Sequence, residues 1–346
     1  MKKLTMKDIA KKAGVSKATV SRVINKTKPV SEEIREKVEK VIEEYNYKPS
    51  SVARSLARNE TKVIGLIIPD ISNAFYSVLV EGISHTAHSR GYNVFLCNTF
   101  RDHDLEIEFL NLLEEKEVDA IILTTFHTTK EQKDFIRKFH KPVVTVNREF
   151  VGKKLPRVPN IDIDNFKAAY DAVSYLINTG HKKIGIIRAE QQDQTCIDRL
   201  NAYKQVLTDY KIPVNDGYIV GYDFHFESGY EGMMEILKSE EQPDAMFCIS
   251  DELATGAIRA INDFGLRVPE DISVIGFDDI PLAKRFIPSI STVSQPIFEM
   301  GKVATDTIIK MIKGDIRRES IDDIILDYEL ITRESTMSRL EEEEEQ

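Results

Sequence analysis

The sequence predicts an α/β protein in two parts: three short helices within the first sixty residues, then two lobes built on parallel β-sheets. Three observations predict it. Charge divides the chain, because residues 1–60 hold 15 of the 47 Lys and Arg but 8 of the 57 Asp and Glu, a balance of +7 against −17 for the rest. Before residue 48, apolar side chains recur at three- and four-residue spacing, the period of an amphipathic helix. From Val63 onward, short aliphatic runs alternate with helical stretches, which is the signature of βαβ units.

Thr5 is placed to cap a first helix over Met6–Ala13, in which Met6, Ile9, Ala10 and Ala13 share a face and Gly14 supplies the stop. Ser16 is placed to cap a second helix that starts at Lys17. Steps of about 100° per residue put Lys17, Ala18, Ser21, Arg22 and Asn25 on one arc and Thr19, Val20, Val23 and Ile24 on the other. One arc packs, and the other presents cations and small groups. Ser31 is expected to cap a third helix, whose Ile34, Val38, Val41, Ile42 and Tyr45 form an apolar stripe, with Glu32 and Glu33 at its positive end. Three short helices with a tight Gly-Val-Ser turn between the first two form the helix-turn-helix pattern, and a basic unit of this kind meets nucleic acid. The hydroxyls of Ser16, Thr19 and Ser21 beside exposed cations suit phosphate contacts.

The run TMKDIAKKAGVSKATVSRVIN, followed by NYKPSSVARSLA, resembles the DNA-binding headpiece and hinge of the lac repressor/galactose repressor family. The rest of the chain, to about Ser335, resembles that family's periplasmic-binding-protein-like effector domain. The resemblance implies that Lys17, Ala18 and Arg22 read bases, with the planar fork of Arg22 matched to O6 and N7 of a guanine. Thr5 and Asn25 join the DNA-binding set on the same ground. A hinge helix is implied as well, formed on DNA, in which Arg54 and Ser55 approach the duplex and Leu56 enters the minor groove as an apolar wedge. Alone, a helix this short is marginal. The alternative for Leu56 is ordinary packing on the neighbouring domain.

In the large domain the aliphatic runs are VIGLII, YNVFLC, DAIILT and PVVTV, then KIGII, YIVG, DAMFCI and SVIGF, two sets of four divided near Pro159 to Asp164. Two similar lobes with a cleft between them follow, and ligands of such sheets lie beyond the carboxyl ends of the strands. Neither GxGxxG nor GxxxxGK[ST] occurs, so no motif supports dinucleotide or nucleotide-phosphate binding. Strand ends carry polar and aromatic residues instead, among them Asp70, Asn73, Arg148, Asp223, Asp251 and Asp279. Planar hydrogen-bonding groups with aromatic faces suit a neutral polyol. Matched to the family, the effector lining is Phe75, Tyr76, Asn147, Arg199, Phe224, Ser250, Asp278 and Gln295. Arg199 and Asp278 would grip adjacent hydroxyls while Phe224 stacks on the ligand. Ser250 departs from an asparagine of some sugar-responsive members, and Asn147 from a common aspartate, so the identity of the effector stays open.

The expected boundaries are a headpiece over 1–48, a hinge over 49–61 and an effector-binding domain over 62–335. Lobe one takes 62–161 with 292–322 and lobe two takes 162–291 with 323–335, before an acidic tail over 336–346. No apolar run approaches the roughly 20 residues a bilayer requires, and the opening MKKLTMKDIAKKAGV has no apolar signal stretch, so a cytoplasmic location without membrane contact is expected. Cys97, Cys196 and Cys248 lack CxxC spacing and read as reduced thiols, with Cys97 and Cys248 in buried strands. His85 and His88 have no third ligand nearby, and the neighbouring Asp278 and Asp279 have no nucleophile, so neither metal, cofactor nor enzymatic activity is expected. The whole predicts a homodimeric repressor on a pseudo-palindromic operator in double-stranded DNA, controlled by a small molecule, a sugar or sugar phosphate. Three alternatives remain: a global carbon-catabolite regulator with a phosphoprotein co-repressor, a solute-binding receptor, and a sugar-converting enzyme.

Overall fold

The computed structural model describes residues 4–25, 29–47, 60–124, 129–147, 158–189, 194–317 and 320–340. The chain forms two compact units, Met1–Thr61 and Lys62–Gln346.

In the first unit, α1 (Met6–Ala13) begins with a capping box between Thr5 and Asp8 and ends at Gly14, whose φ of 68° is the left-handed turn a glycine takes without strain. In α2 (Lys17–Asn25) the Ser16 hydroxyl accepts the Thr19 N–H at 3.0 Å. The third helix, α3 (Glu32–Glu44), lacks the cap expected of Ser31, whose side chain makes no capping hydrogen bond. Ile9, Ala10, Val20, Val23, Val38 and Tyr47 form the core. Tyr47, 9% exposed, takes the buried place expected of Tyr45, which stays 39% exposed beneath the Lys12 ammonium, 3.9 Å from its ring centre.

The second unit holds two sheets. Sheet one runs β11-β5-β4-β3-β1-β2, parallel throughout: β1 (Val63–Ile68), β2 (Asn93–Asn98), β3 (Ala120–Leu123), β4 (Val143–Val146), β5 (Asn160–Ile163) and β11 (Ile324–Leu326). Sheet two runs β12-β10-β9-β8-β6-β7: β6 (Ile184–Ile187), β7 (Ile219–Val220), β8 (Ala245–Cys248), β9 (Ser273–Asp278), β10 (Ser291–Ser294) and β12 (Glu329–Ile331). Among the described residues only β12 pairs antiparallel, with β10. Central strands such as β3, β4 and β8 are buried along their whole length, as aliphatic runs covered on both faces must be. Over sheet one, α4 (Ala74–Ser89) and α12 (Ile297–Lys313) approach so closely that a Cβ on Gly82 would lie 2.3 Å from the Phe298 carbonyl oxygen. The three thiols are free and buried, and burial pushes that of Cys97 up to about 11.

Several boundaries differ from the sequence reading. The sheets have six strands each rather than four, because β5, β10, β11 and β12 are only three or four residues long and three of them (NIDI, STVS, ELI) carry polar residues. Since β10 pairs with β9, residues 292–294 belong to lobe two, and since β11 pairs with β5, residues 324–326 belong to lobe one. Among the described residues the chain therefore passes between lobes three times, after β5, after β10 and after β11. Residues 336–340 are part of lobe two rather than tail: Thr336 is buried, and the Arg339 N–H donates to the Thr179 carbonyl at 2.7 Å. Most of the expected hinge, residues 49–59, lies outside the described residues.

Candidate functional site

On the first unit, Lys17, Ala18 and Arg22 are exposed along one face of α2, while Val20 and Val23 are buried on the other. Ser21 and Thr19 are half-buried between them, and the Ser16 and Thr19 hydroxyls lie 2.8 Å apart. Thr5 donates its hydroxyl to Asp8 at 2.7 Å, so its side chain is engaged in capping. The Asn25 side chain and the whole of Arg54, Ser55 and Leu56 lie outside the described residues.

On the second unit, a cleft opens between the carboxyl ends of the two sheets, the place where ligands of such sheets bind; its free space of about 390 Å³ includes open solvent. Phe75 and Tyr76 come from the start of α4 after β1, Asn147 follows β4, Phe224 follows β7, and Asp278 ends β9. Arg199 projects from α8 (Gln194–Asp209) after β6. Six of the eight expected residues thus line one cavity. The rings of Phe75 and Tyr76 meet edge to face at 5.2 Å. Asn147 sits at φ 54°, and its Oδ1 is buried with no hydrogen-bond partner among the described residues. That oxygen is free to accept from a ligand O–H.

Arg199 is 3% exposed and its guanidinium lies flat on Phe277, 3.6 Å from the ring centre. Nε and Nη2 donate to Asn165 Oδ1 at 3.1 and 2.8 Å, and Nη1 donates to the Ile249 carbonyl at 2.5 Å. Three of its five N–H donors are used this way. Asp278 Oδ1 stands 3.9 Å from Nη1, close enough for attraction but beyond a hydrogen bond. Asp278 takes its hydrogen bond at 2.6 Å from Gln295 Nε2. Burial pushes the Asp278 carboxyl up to about 7, against the pull of Arg199 and Gln295. Asp162, which accepts from Asn165 at 2.9 Å, is pushed up to about 6 by burial, and the enclosed Asp251 is held well above the carboxylate range by burial and by Asp278. Arg199 thus pulls on both Asp162 and Asp278, and burial outweighs that pull at each.

Two expected lining residues stand elsewhere. Ser250 caps α10 (Asp251–Asp263), accepting the Leu253 N–H at 3.3 Å, and is buried away from the cavity. Gln295 lies behind Asp278 and orients it. Asp279, at φ 58°, turns from the cavity to an ion pair with Arg333. The lining also includes Asn73, noted among the strand-end residues but not in the family-matched set, and Thr195, which sequence reasoning missed. Thr195 was legible in principle, since it precedes Arg199 by four residues and so shares its helical face.

Residues 61–334 match the family described as periplasmic binding proteins and sugar binding domain of the LacI family, and residues 5–50 match the bacterial regulatory proteins of the lacI family. The chain belongs to the LacI family. Its LacI-family relatives include catabolite control protein A of Priestia megaterium, 37% identical over 336 residues, with 96% of this chain and 99% of that protein covered. The ribose operon repressor of Haemophilus influenzae is 37% identical over 334 residues, covering 96% and 99%. Among solved LacI-family structures, the lac repressor dimer bound to operator and the anti-inducer ONPF superposes with a TM-score of 0.86 at 27% identity, covering 97% of this chain and 100% of that one. This LacI-family member is a DNA-binding transcription regulator that joins a helix-turn-helix headpiece to a sugar-binding domain. None of its described helices is long and apolar enough to cross a membrane.

Proposed function

We propose that the chain is a cytoplasmic, homodimeric repressor of genes for carbohydrate uptake or catabolism, controlled by a small neutral polyol in the cleft. The observation that carries this reading is the cavity at the strand ends. It combines aromatic rings for a CH face, the unengaged Asn147 oxygen, and an arginine and a carboxyl group that offset each other's charge. In this reading Arg199 and Asp278 hold adjacent hydroxyls and Phe224 stacks on the ring. The buried carboxyl groups serve binding and packing, with no catalytic role. The lac repressor dimer on its operator supports the dimeric, two-half-site arrangement. A thermal-shift panel of D-ribose, D-glucose and their phosphates, repeated with operator DNA, tests the reading. A neutral sugar at 100 times its Kd should stabilise the large unit by about 2.7 kcal/mol and change operator affinity. Stabilisation by the phosphates alone would refute the neutral-polyol assignment. The likeness to catabolite control protein A supports a second reading, a global carbon-catabolite regulator.

For the headpiece, we assign Lys17, Ala18 and Arg22 to base reading, and Arg54, Ser55 and Leu56 to the hinge contact. Because Arg22 is exposed, Arg22→Ala leaves the core intact. It should cost about 1–3 kcal/mol of operator affinity and relax one base position per half-site. Fluorescence-anisotropy titrations against operators varied one base at a time would show this. Retention of full selectivity would remove Arg22 from that role.

A further inference from the structure

Arg101 follows β2 in lobe one, and its guanidinium carbon lies 5.7 Å from the ring centre of Phe224, which follows β7 in lobe two. A cation within about 6 Å of an aromatic centre is attracted by the ring's negative face. The same ring lines the cavity and packs against the lobe-two core. One side chain of lobe one therefore reaches a cavity wall supplied by lobe two.

The backbone that delivers Arg101 is unusual. Phe100 and Arg101 have φ of 52° and 63°, two successive non-glycine residues in the left-handed region. Such a conformation is costly for a residue with a Cβ and persists only where its surroundings hold it. Here the turn is fixed by hydrogen bonds from Thr99 N–H to the Ile68 carbonyl at 2.9 Å, from Arg101 N–H to that of Pro69 at 3.1 Å, and from Asp102 N–H to that of Thr99 at 2.9 Å. Phe100 gains no shelter from the conformation, being 73% exposed. What the turn accomplishes is to aim Arg101 across the cleft.

We infer that Arg101 is a positioning residue which, through Phe224, holds the two lobes together across the cleft before any ligand arrives. Its consequence for ligand affinity rests on the cleft being the effector site. Apparent affinity scales with the fraction of molecules already in the binding-competent arrangement, and a pre-formed contact across the cleft raises that fraction. The lobe contact itself does not depend on the effector reading.

The test therefore uses the ligand-free full-length chain. Nitroxides on Lys116→Cys and Lys238→Cys, exposed positions of lobe one and lobe two, report the distance between lobes by double electron–electron resonance. The native thiols are buried, and dilution with unlabelled protein suppresses signals between subunits. Arg101→Ala, Arg101→Gln and Phe224→Leu should each broaden the distribution and shift it to longer distances, whereas Arg101→Lys, which keeps a cation, should stay near the wild type. An Arg101→Ala distribution that overlays the wild type would overturn the inference. So would restoration by glutamine as complete as by lysine, or an unchanged distribution in Phe224→Leu, since either removes the cation–ring contact as the cause.

Discussion

Arg199→Ala is expected to destabilise the large unit by about 3–5 kcal/mol, in addition to removing a ligand contact. The guanidinium is almost fully enclosed, stacks on Phe277 and makes three hydrogen bonds. Truncation leaves the Asn165 oxygen and the Ile249 carbonyl without these donors, opens a void above a ring, and strips the cation from beside Asp278. Arg199→Lys should recover only part of the loss, because an ammonium cannot span Asn165 and Ile249 in one plane. Urea denaturation followed by circular dichroism measures this directly. A midpoint unchanged in Arg199→Ala would mean that the network contributes nothing to stability and that Arg199 acts on ligand alone.

Stability should also fall as pH rises from about 4 towards 7. Asp162 and Asp278 have carboxyl groups raised to about 6 and about 7 in the folded chain, and burial raises Asp251 well above its ordinary value too. In the unfolded chain all three titrate near 3.9. Between these values the folded state binds more protons than the unfolded one, so raising the pH favours unfolding. The contribution is complete below about pH 4 and is lost through the folded values. For Asp278 alone, a rise to about 7 corresponds to a loss on the order of 4 kcal/mol. His181, pushed down by burial, opposes the trend near pH 6, so the informative quantity is a difference. Asp278→Asn, which cannot lose a proton, should show a shallower decline between pH 4 and 7 than the wild type. Parallel urea midpoints for the two chains across that window would exclude Asp278 as a source.

These results bear on what the sequence could disclose. Helices α1 and α2 were legible because Thr5, Gly14 and Ser16 each act on backbone groups a few residues away. The same local rule misassigned Ser31 and Tyr45, where the interhelical packing of Tyr47 and the Lys12–Tyr45 contact decide the outcome. In the cleft, residues at strand ends could be named from the family pattern, but their division of labour could not. Whether Gln295 faces a ligand or supports Asp278 depends on the pairing of β9 with β10, which brings together two residues 17 apart in sequence. Arg199 looked like a ligand contact alone, because its partners Asn165 and Ile249 are 34 and 50 residues away. The short strands β5, β10, β11 and β12 hold their places by pairing, which leaves little trace in a run of three or four residues.

The repeated passage of the chain between lobes sets a timetable for its synthesis. Sheet one lacks its last strand until residue 326 has been made, and sheet two until residue 331; the bond from Val274 N–H to the Ser335 carbonyl comes later still. Neither lobe can be completed before those residues are made. The first unit has every residue of its own core by Tyr47. At roughly 5–20 residues per second, residues 48–335 take on the order of 15–60 s to be made. During that interval a nascent chain presents a folded helix-turn-helix with nothing yet built to govern it.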